Sequence, residues 1–274
     1  MRGTAGLTIR HATAADMTDV HTVVLRAGLG SGRHPAALEF YRTSPGGQLI
    51  VACQDDQVTG VSFAVSFGRT GWIGNVAVDP DARGRGLGTA VSRAALDALH
   101  AAGVRTVLLT ATDLGRPVYE RLGFGYDGMH YGIWRRQTRP SAETVGQAGP
   151  GTVAHLREHD AHATGESRGA LLSTFADRVR VPSGGGGYRI ALPWGGGPVI
   201  AATEAAARAL LADLTGTGAE PERLAFPEPN ATGAALAASL GFQQAGRIPR
   251  MRLGPPVPGF HPERIFNVFS FAVG

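Results

Sequence analysis

The chain has 274 residues and 28.4 kDa, 43% apolar and 7% aromatic side chains, and a formal charge of +4. That length accommodates one large domain or two small ones, and the composition is that of a soluble globular protein. It argues against a membrane partner, since no apolar run approaches the roughly 18–20 residues that span a bilayer. It also argues against nucleic acid, since no run of five basic residues occurs.

Three further absences narrow the chemistry. The one cysteine, Cys53 in "LIVACQ", cannot form an internal disulfide and reads as a buried strand thiol in a reducing, cytoplasmic protein. The N-terminus lacks a basic head followed by an apolar core, so no secretory signal is expected. Every residue in the Lys+Arg count is Arg. Without lysine there is no Schiff base, no pyridoxal-phosphate anchor and no phosphate loop of the G-x-x-x-x-G-K type. Up to Arg139 there are 15 Arg against 11 acids, and beyond it 11 against 11. The basic excess therefore favours a small anionic ligand in the first half.

In chain order, "LTIRHATAADMTDVHTVVLRAGL" predicts a short strand and then a helix from about Ala14. "GQLIVACQDDQVTGVSFAVSF" predicts a hairpin turning near Asp55, Asp56 and Gln57. "WIGNVAVDP" is a strand ended by Pro80, and "GTAVSRAALDALHAAG" a helix stopped by Gly103. "RTVLLTAT" is a strand, "RPVYERLGF" a short helix closed by Gly123, and "YDGMHYGIWRR" a further strand. Residues 140–150 carry no periodicity and are rich in Pro, Gly, Ser and Thr, so they read as a linker between domains 1–139 and 151–274. "HLREHDAHA" places His155, His159 and His162 on one helix face. That reads as a solvated face, and no metal is expected.

The stretch "NVAVDPDARGRGLGTAV" combines a strand end, a turn, three alternate glycines and a helix start. Amides of Gly84, Arg85, Gly86, Leu87, Gly88 and Thr89 would converge at the helix N-terminus, where the absent side chains let a phosphate approach. Arg83 and Arg85 add charge-assisted hydrogen bonds. The loop is therefore expected to clamp a pyrophosphate. A dinucleotide fingerprint fits less well, because Thr89 stands where G-x-G-x-x-G needs its last glycine.

These residues resemble the GNAT acetyltransferases. The family's coenzyme A signature is Arg or Gln, any two residues, Gly, any residue, then Gly or Ala. Arg83, Gly86 and Gly88 meet it. In "VYERLGF", Tyr119, Gly123 and Phe124 resemble the second family motif. The family usually has Asn at the position of Thr112 and Ala at that of Gly115. The resemblance implies an α/β (α+β) fold with a central mixed, mostly antiparallel sheet flanked by helices. It implies acetyl-CoA as co-substrate, its pantetheine lying along Val76, Ala77 and Val78 in a gap between splayed strands. Thr112 would contribute a cofactor contact, the Val78 N–H would meet the oxyanion, and Tyr119 would protonate the departing thiolate.

The general base is not assigned by the sequence. "GWIGNVAV" offers Trp72 and Asn75 but no carboxylate. Asp127, His130, His34 and Glu39 fall in segments that line the acceptor side in the family. A water chain is a further route. So is the Gly274 carboxylate, if "RIFNVFSFAVG" forms a strand carrying it to the acceptor pocket.

The second half holds a weaker copy. Thr112, Gly115, Tyr119 and Gly123-Phe124 have the same spacings as Asn230, Gly233, Ala237 and Gly241-Phe242. Ala237 replaces the tyrosine, and "VIAATEAAARALL" runs from strand to helix without the glycines. The chain thus resembles a tandem GNAT protein whose divergent second domain keeps the scaffold and loses the clamp and the acid. The expected function is acetyl transfer to the amine of a small molecule through a ternary complex. A protein N-terminus as acceptor, or a non-catalytic acyl-CoA-binding or regulatory module, is the alternative. A homodimer is compatible with this reading.

Overall fold

The computed structural model describes residues 6–29, 34–136, 148–212 and 222–274. Most of the expected linker, residues 140–147, lies outside them. The chain forms two compact units. The first comprises Met1–Gly125 with Met251–Pro255 and Phe271–Val273, and the second comprises Tyr126–Arg250, Pro256–Ser270 and Gly274.

The first unit runs Leu7–His11 (β1), Met17–Arg26 (α1), Pro35–Thr43 (α2), Gly47–Gln54 (β2), Gln57–Phe67 (β3), Thr70–Val78 (β4), Leu87–Ala101 (α3), Thr106–Thr110 (β5) and Arg116–Arg121 (α4). Its sheet has the order β1-β2-β3-β4-β5. All neighbours are antiparallel except β4 and β5, which are parallel. The β2–β3 hairpin turns where expected. Asp55 and Asp56 both take left-handed φ, 50° and 64°, as a tight two-residue hairpin requires. The sequence reading passed over α2. Its signals are Pro35 at the first turn, His34 as N-cap accepting from the Ala36 amide at 3.2 Å, and Ala37, Leu38 and Tyr41 on the buried face. The main core joins the sheet to α3 and α4 through Ile73, Leu96, Leu99, Leu109 and Tyr119.

The second unit contains Gly125–Arg136 (β6) from Tyr126 on, Ala148–Pro150 (β7), Val153–Thr164 (α5), Gly169–Leu172 (α6), Val179–Pro182 (β8), Gly187–Ile190 (β9), Val199–Ala201 (β10), Glu204–Ala212 (α7), Glu222–Pro227 (β11), Ala231–Ser239 (α8), Gln243–Leu253 (β12) up to Arg250, and Ile265–Asn267 (β13). Here β6 lies between β12 and β11, and a second sheet has the order β13-β10-β9-β8-β7. Asn267 stitches β11 to the second sheet's loops. Its Oδ1 accepts from the Ala225 amide and its Nδ2 donates to the Gly197 carbonyl, each at 2.7 Å.

The compact units are not the two halves divided at the linker. Strand β6 follows Gly123-Phe124, and β12 follows Gly241-Phe242, so they are equivalent strands of the repeat. Yet β6 pairs with β11 in the second unit, while the end of β12, Met251–Leu253, lies beside β5 in the first. The local pattern along each strand carries no record of which partner it takes.

The chain end also departs from expectation. "RIFNVFSFAVG" is strand only over Ile265–Asn267. Phe271–Val273 form a turn closed by the Gly274 amide on the Ser270 carbonyl at 2.9 Å. Within the first unit, Ala272 lies so close to β4 that a Cβ on Gly74 would sit 2.4 Å from its Cα. Gly74→Ala should therefore destabilise the protein by about 1–3 kcal/mol, the usual cost of overpacking. Urea unfolding measures it, and adding Ala272→Gly should recover part of the loss. An unchanged midpoint in Gly74→Ala would place the turn elsewhere.

Candidate functional site

The site grows from a fork in the first sheet. Strands β4 and β5 pair only at Thr70–Thr106, Gly71–Val107 and Trp72–Leu108. Beyond Trp72 the β4 edge has no β5 partner among the described residues. The cause is local to β4. Val61 pairs with Ala77 but Phe63 with Gly74, so Ser62 faces two residues, and Asn75 takes φ 49°. A bulge of this kind adds a residue and bends its strand, and a short polar side chain tolerates left-handed φ.

The register fixes which backbone groups the fork receives. The Asp79 amide donates to the Thr59 carbonyl at 2.9 Å, and Gly60 stands opposite Val78. In an antiparallel ladder this makes Val78 a non-hydrogen-bonded pair toward β3, with its N–H and C=O turned toward β5. Ala77 is bonded to β3 instead, and by alternation Val76 faces the fork. Val76 and Val78 thus turn their backbone toward the fork, while Ala77, 2% exposed, is paired with β3.

At the mouth of the fork stands the glycine loop. Asp79 caps the short helical turn Pro80–Ala82, accepting from the Asp81 amide at 3.0 Å. Arg26 on α1 latches that turn through Asp81 at 2.6 Å and Asp79 at 3.4 Å. Gly84 and Gly86 have φ 77° and 79°, and a Cβ at either would meet nothing within 4 Å. Glycine is needed there for its conformation rather than for packing. Gly86 is the N-cap of α3 and brings no side chain to the helix start, so the first amides, through Leu87, Gly88 and Thr89, keep their hydrogen-bonding capacity. The positive end of a 15-residue helix dipole points there too. Arg83 and Arg85 are exposed, and Arg83 Nε donates to the Val78 carbonyl at 3.3 Å. Gly88 lies against Val78, a Cβ there falling 3.6 Å from the valine Cγ2.

Tyr119 on α4 is 6% exposed and meets Phe124 edge-on, ring centroids 6.1 Å apart. It belongs to the core cluster that holds Ile73, Leu109 and Ala111, against which Val76 packs. Burial pushes its phenol above the ordinary value of about 10, so the proton stays on oxygen at neutral pH. Thr112 is exposed, and its Oγ1 accepts from the Gly115 amide at 3.2 Å.

The second unit repeats the scaffold with different ends. Asn230 Oδ1 accepts from the Gly233 amide at 2.7 Å, the same contact that Thr112 makes, and its Nδ2 donates to the Ile265 carbonyl. Ala237 is fully buried where Tyr119 has its counterpart. Only Ala202 and Thr203 separate β10 from α7. The Thr203 hydroxyl accepts from the Ala206 amide at 3.2 Å, so this helix start is already capped by its own chain.

The candidate bases have structural partners. Glu39 is held by Arg42, whose Nε donates to it at 2.9 Å, and that hydrogen bonding lowers its pKa. In the second unit, Asp127 pairs with Arg250 at 2.6 Å, and His130 Nδ1 meets the Tyr126 hydroxyl at 2.9 Å. The Gly274 oxygen accepts from Arg168 at 2.7 Å and from the Phe269 amide at 3.1 Å. Arg168 is itself buried and chelates Asp160 at 2.6 and 3.0 Å. The Gly274 oxygen thus joins the buried Arg168–Asp160 ion pair of the second unit. Sequence reasoning missed Asn75 as the bulge and the Arg26 latch. The dipeptide Asp79-Pro80, an N-cap before a first-turn proline, is the signal that would have found the capped turn.

Two family models match in tandem. The acetyltransferase (GNAT) family model matches residues 17–124, and an acetyltransferase (GNAT) domain model matches residues 156–267. A solved structure from Pyrococcus horikoshii is 22% identical, with 99% of this chain and 97% of that chain covered and a TM-score of 0.86. A GCN5-related N-acetyltransferase from Sphaerobacter thermophilus is 16% identical over 90% of this chain and 95% of that chain, at 0.64. One from Kribbella flavida is 19% identical over 90% and 71%, at 0.53. These likenesses show the fold. With the forked sheet, the glycine loop and the two matched domains together, the chain belongs to the GNAT acetyltransferase family as a tandem two-domain member with a divergent second domain.

Proposed function

We propose that the first domain is an acetyl-CoA-dependent N-acetyltransferase acting on a small-molecule amine, and that the second domain binds no coenzyme A. The observation that carries this is the contrast between two helix starts. The α3 start has a glycine N-cap and left-handed glycines. The α7 start is closed by Thr203.

The chemistry follows the fork. A pyrophosphate on the α3 amides lies beside Val78, because Gly88 does. The pantetheine arm then runs inward along the free β4 edge, adding itself as a strand would. Its thioester lies deeper than Val78, which moves the oxyanion donor from the expected Val78 N–H to that of Val76. The amine nitrogen attacks the carbonyl carbon, and the carbonyl electron pair moves onto oxygen, where the N–H stabilises it. Collapse reforms the carbonyl and breaks the C–S bond. The thiolate takes its proton from Tyr119, and water carries off the proton lost by the amine and returns one to the phenolate. The lone buried thiol Cys53 is consistent with a reducing cytoplasm.

A panel of small amines and short peptides, assayed for acetyl-CoA-dependent thiol release, tests this. At least one small amine should be turned over well above the hydrolytic background. Binding of acetyl-CoA without transfer to any amine would favour the non-catalytic alternative.

A further inference from the structure

We propose that the turn Phe271–Val273 closes the apex of the β4–β5 fork and restricts the acyl group to about two carbons. This rests on the acetyltransferase reading above. The apex is the point just past the Trp72–Leu108 pair, where the two strands part. Each face of the sheet is filled there. On the α3 face, Gly71 points at Leu99, and Ile73, Leu109 and Ala111 join the packed core with Leu96. Side chains alternate along a strand, so Gly74 and Thr110 point to the opposite face.

That opposite face is where the turn sits. Ala272 is 1% exposed and lies against Gly74, at a distance that leaves no room for a β-carbon. Thr110 Oγ1 donates to the Phe271 carbonyl at 3.3 Å. The turn therefore touches both arms of the fork, one through a van der Waals contact and one through a hydrogen bond. Val273 beside it is fully buried.

An arm that enters at the loop and runs along β4 toward Gly74 carries its acyl group toward this wall. The glycine at position 74 makes the approach of Ala272 possible, so the depth of the fork is set jointly by two residues nearly 200 positions apart. An acetyl group ends before the wall, whereas each further methylene must displace Ala272 or Val273. A hydrophobic pocket commonly discriminates one methylene by about 10–200-fold, and closure by backbone on one side leaves little slack.

Calorimetry with CoA, acetyl-CoA, propionyl-CoA and butyryl-CoA on the full chain tests the idea. Wild-type protein should bind acetyl-CoA at least about tenfold more tightly than butyryl-CoA. Ala272→Gly and Val273→Ala should each bring that ratio down by about threefold or more. A purely structural turn would change the melting temperature and leave the ratio alone. Equal binding of acetyl- and butyryl-CoA by wild type, or an unmoved ratio in both folded variants, overturns the proposal. The wild-type series alone decides whether the fork is short, even if neither variant folds. Failure to bind CoA or acetyl-CoA at all would count instead against the acetyltransferase reading.

Discussion

Gly86→Glu should abolish acetyl-CoA binding, raising Kd by at least about a hundredfold, or about 2.7 kcal/mol. Three effects act together. Position 86 holds φ 79°, where a residue with a β-carbon is strained by roughly 1–2 kcal/mol. The new side chain stands where a phosphate would meet the α3 amides. Its carboxylate would also repel the phosphate that, on the proposed reading, Arg83, Arg85 and the helix dipole attract. The fold should survive at that cost in strain, since a β-carbon there meets nothing within 4 Å. Gly86→Ala isolates the backbone strain and should weaken binding far less. If Gly86→Glu folds and binds acetyl-CoA normally, the phosphate clamp is not this loop.

Tyr119→Phe should lower kcat by about 10²–10³, or about 2.7–4 kcal/mol of barrier, with acetyl-CoA affinity little changed. The ring would remain packed on Phe124, and only the hydroxyl is lost. Burial raises the phenol's pKa, so the sign is clear: the donor form persists to higher pH than for a free tyrosine. The wild-type rate should show no descending limb from this group at or below pH 10. A phenylalanine variant with wild-type kcat, where pre-steady-state kinetics show chemistry to be rate-limiting, would remove Tyr119 from the mechanism.

How much of this was legible depended on the range of the interaction. The hairpin at Asp55-Asp56, the strand before Pro80, the helix closed by Gly103 and the glycine loop are set by residues within a turn of each other, and the structure has them where the sequence put them. So too the repeat, since Thr112 and Asn230 make the same contact to the glycine three residues on. The partners of β6 and β12 were not legible, because each lies far off in the sequence and leaves no local signal. Nor was the end of the chain. "RIFNVFSFAVG" is apolar enough for a strand, but Val268 bonds to the Ala225 carbonyl and Ser270 to Gly274, which draw it out of the second sheet's ladder. The Gly274 carboxylate was expected as one route for the amine proton. Its oxygen is taken by buried Arg168, a pairing that no spacing announces across 106 positions.

The asymmetry of the two domains is the central claim, and the stoichiometry of acetyl-CoA binding tests it most directly. Titration of the full chain in a calorimeter should give one acetyl-CoA per chain, on a site lost in Gly86→Glu. Two acetyl-CoA per chain would show that the Thr203-capped helix start also binds, and none would show that the α3 loop does not.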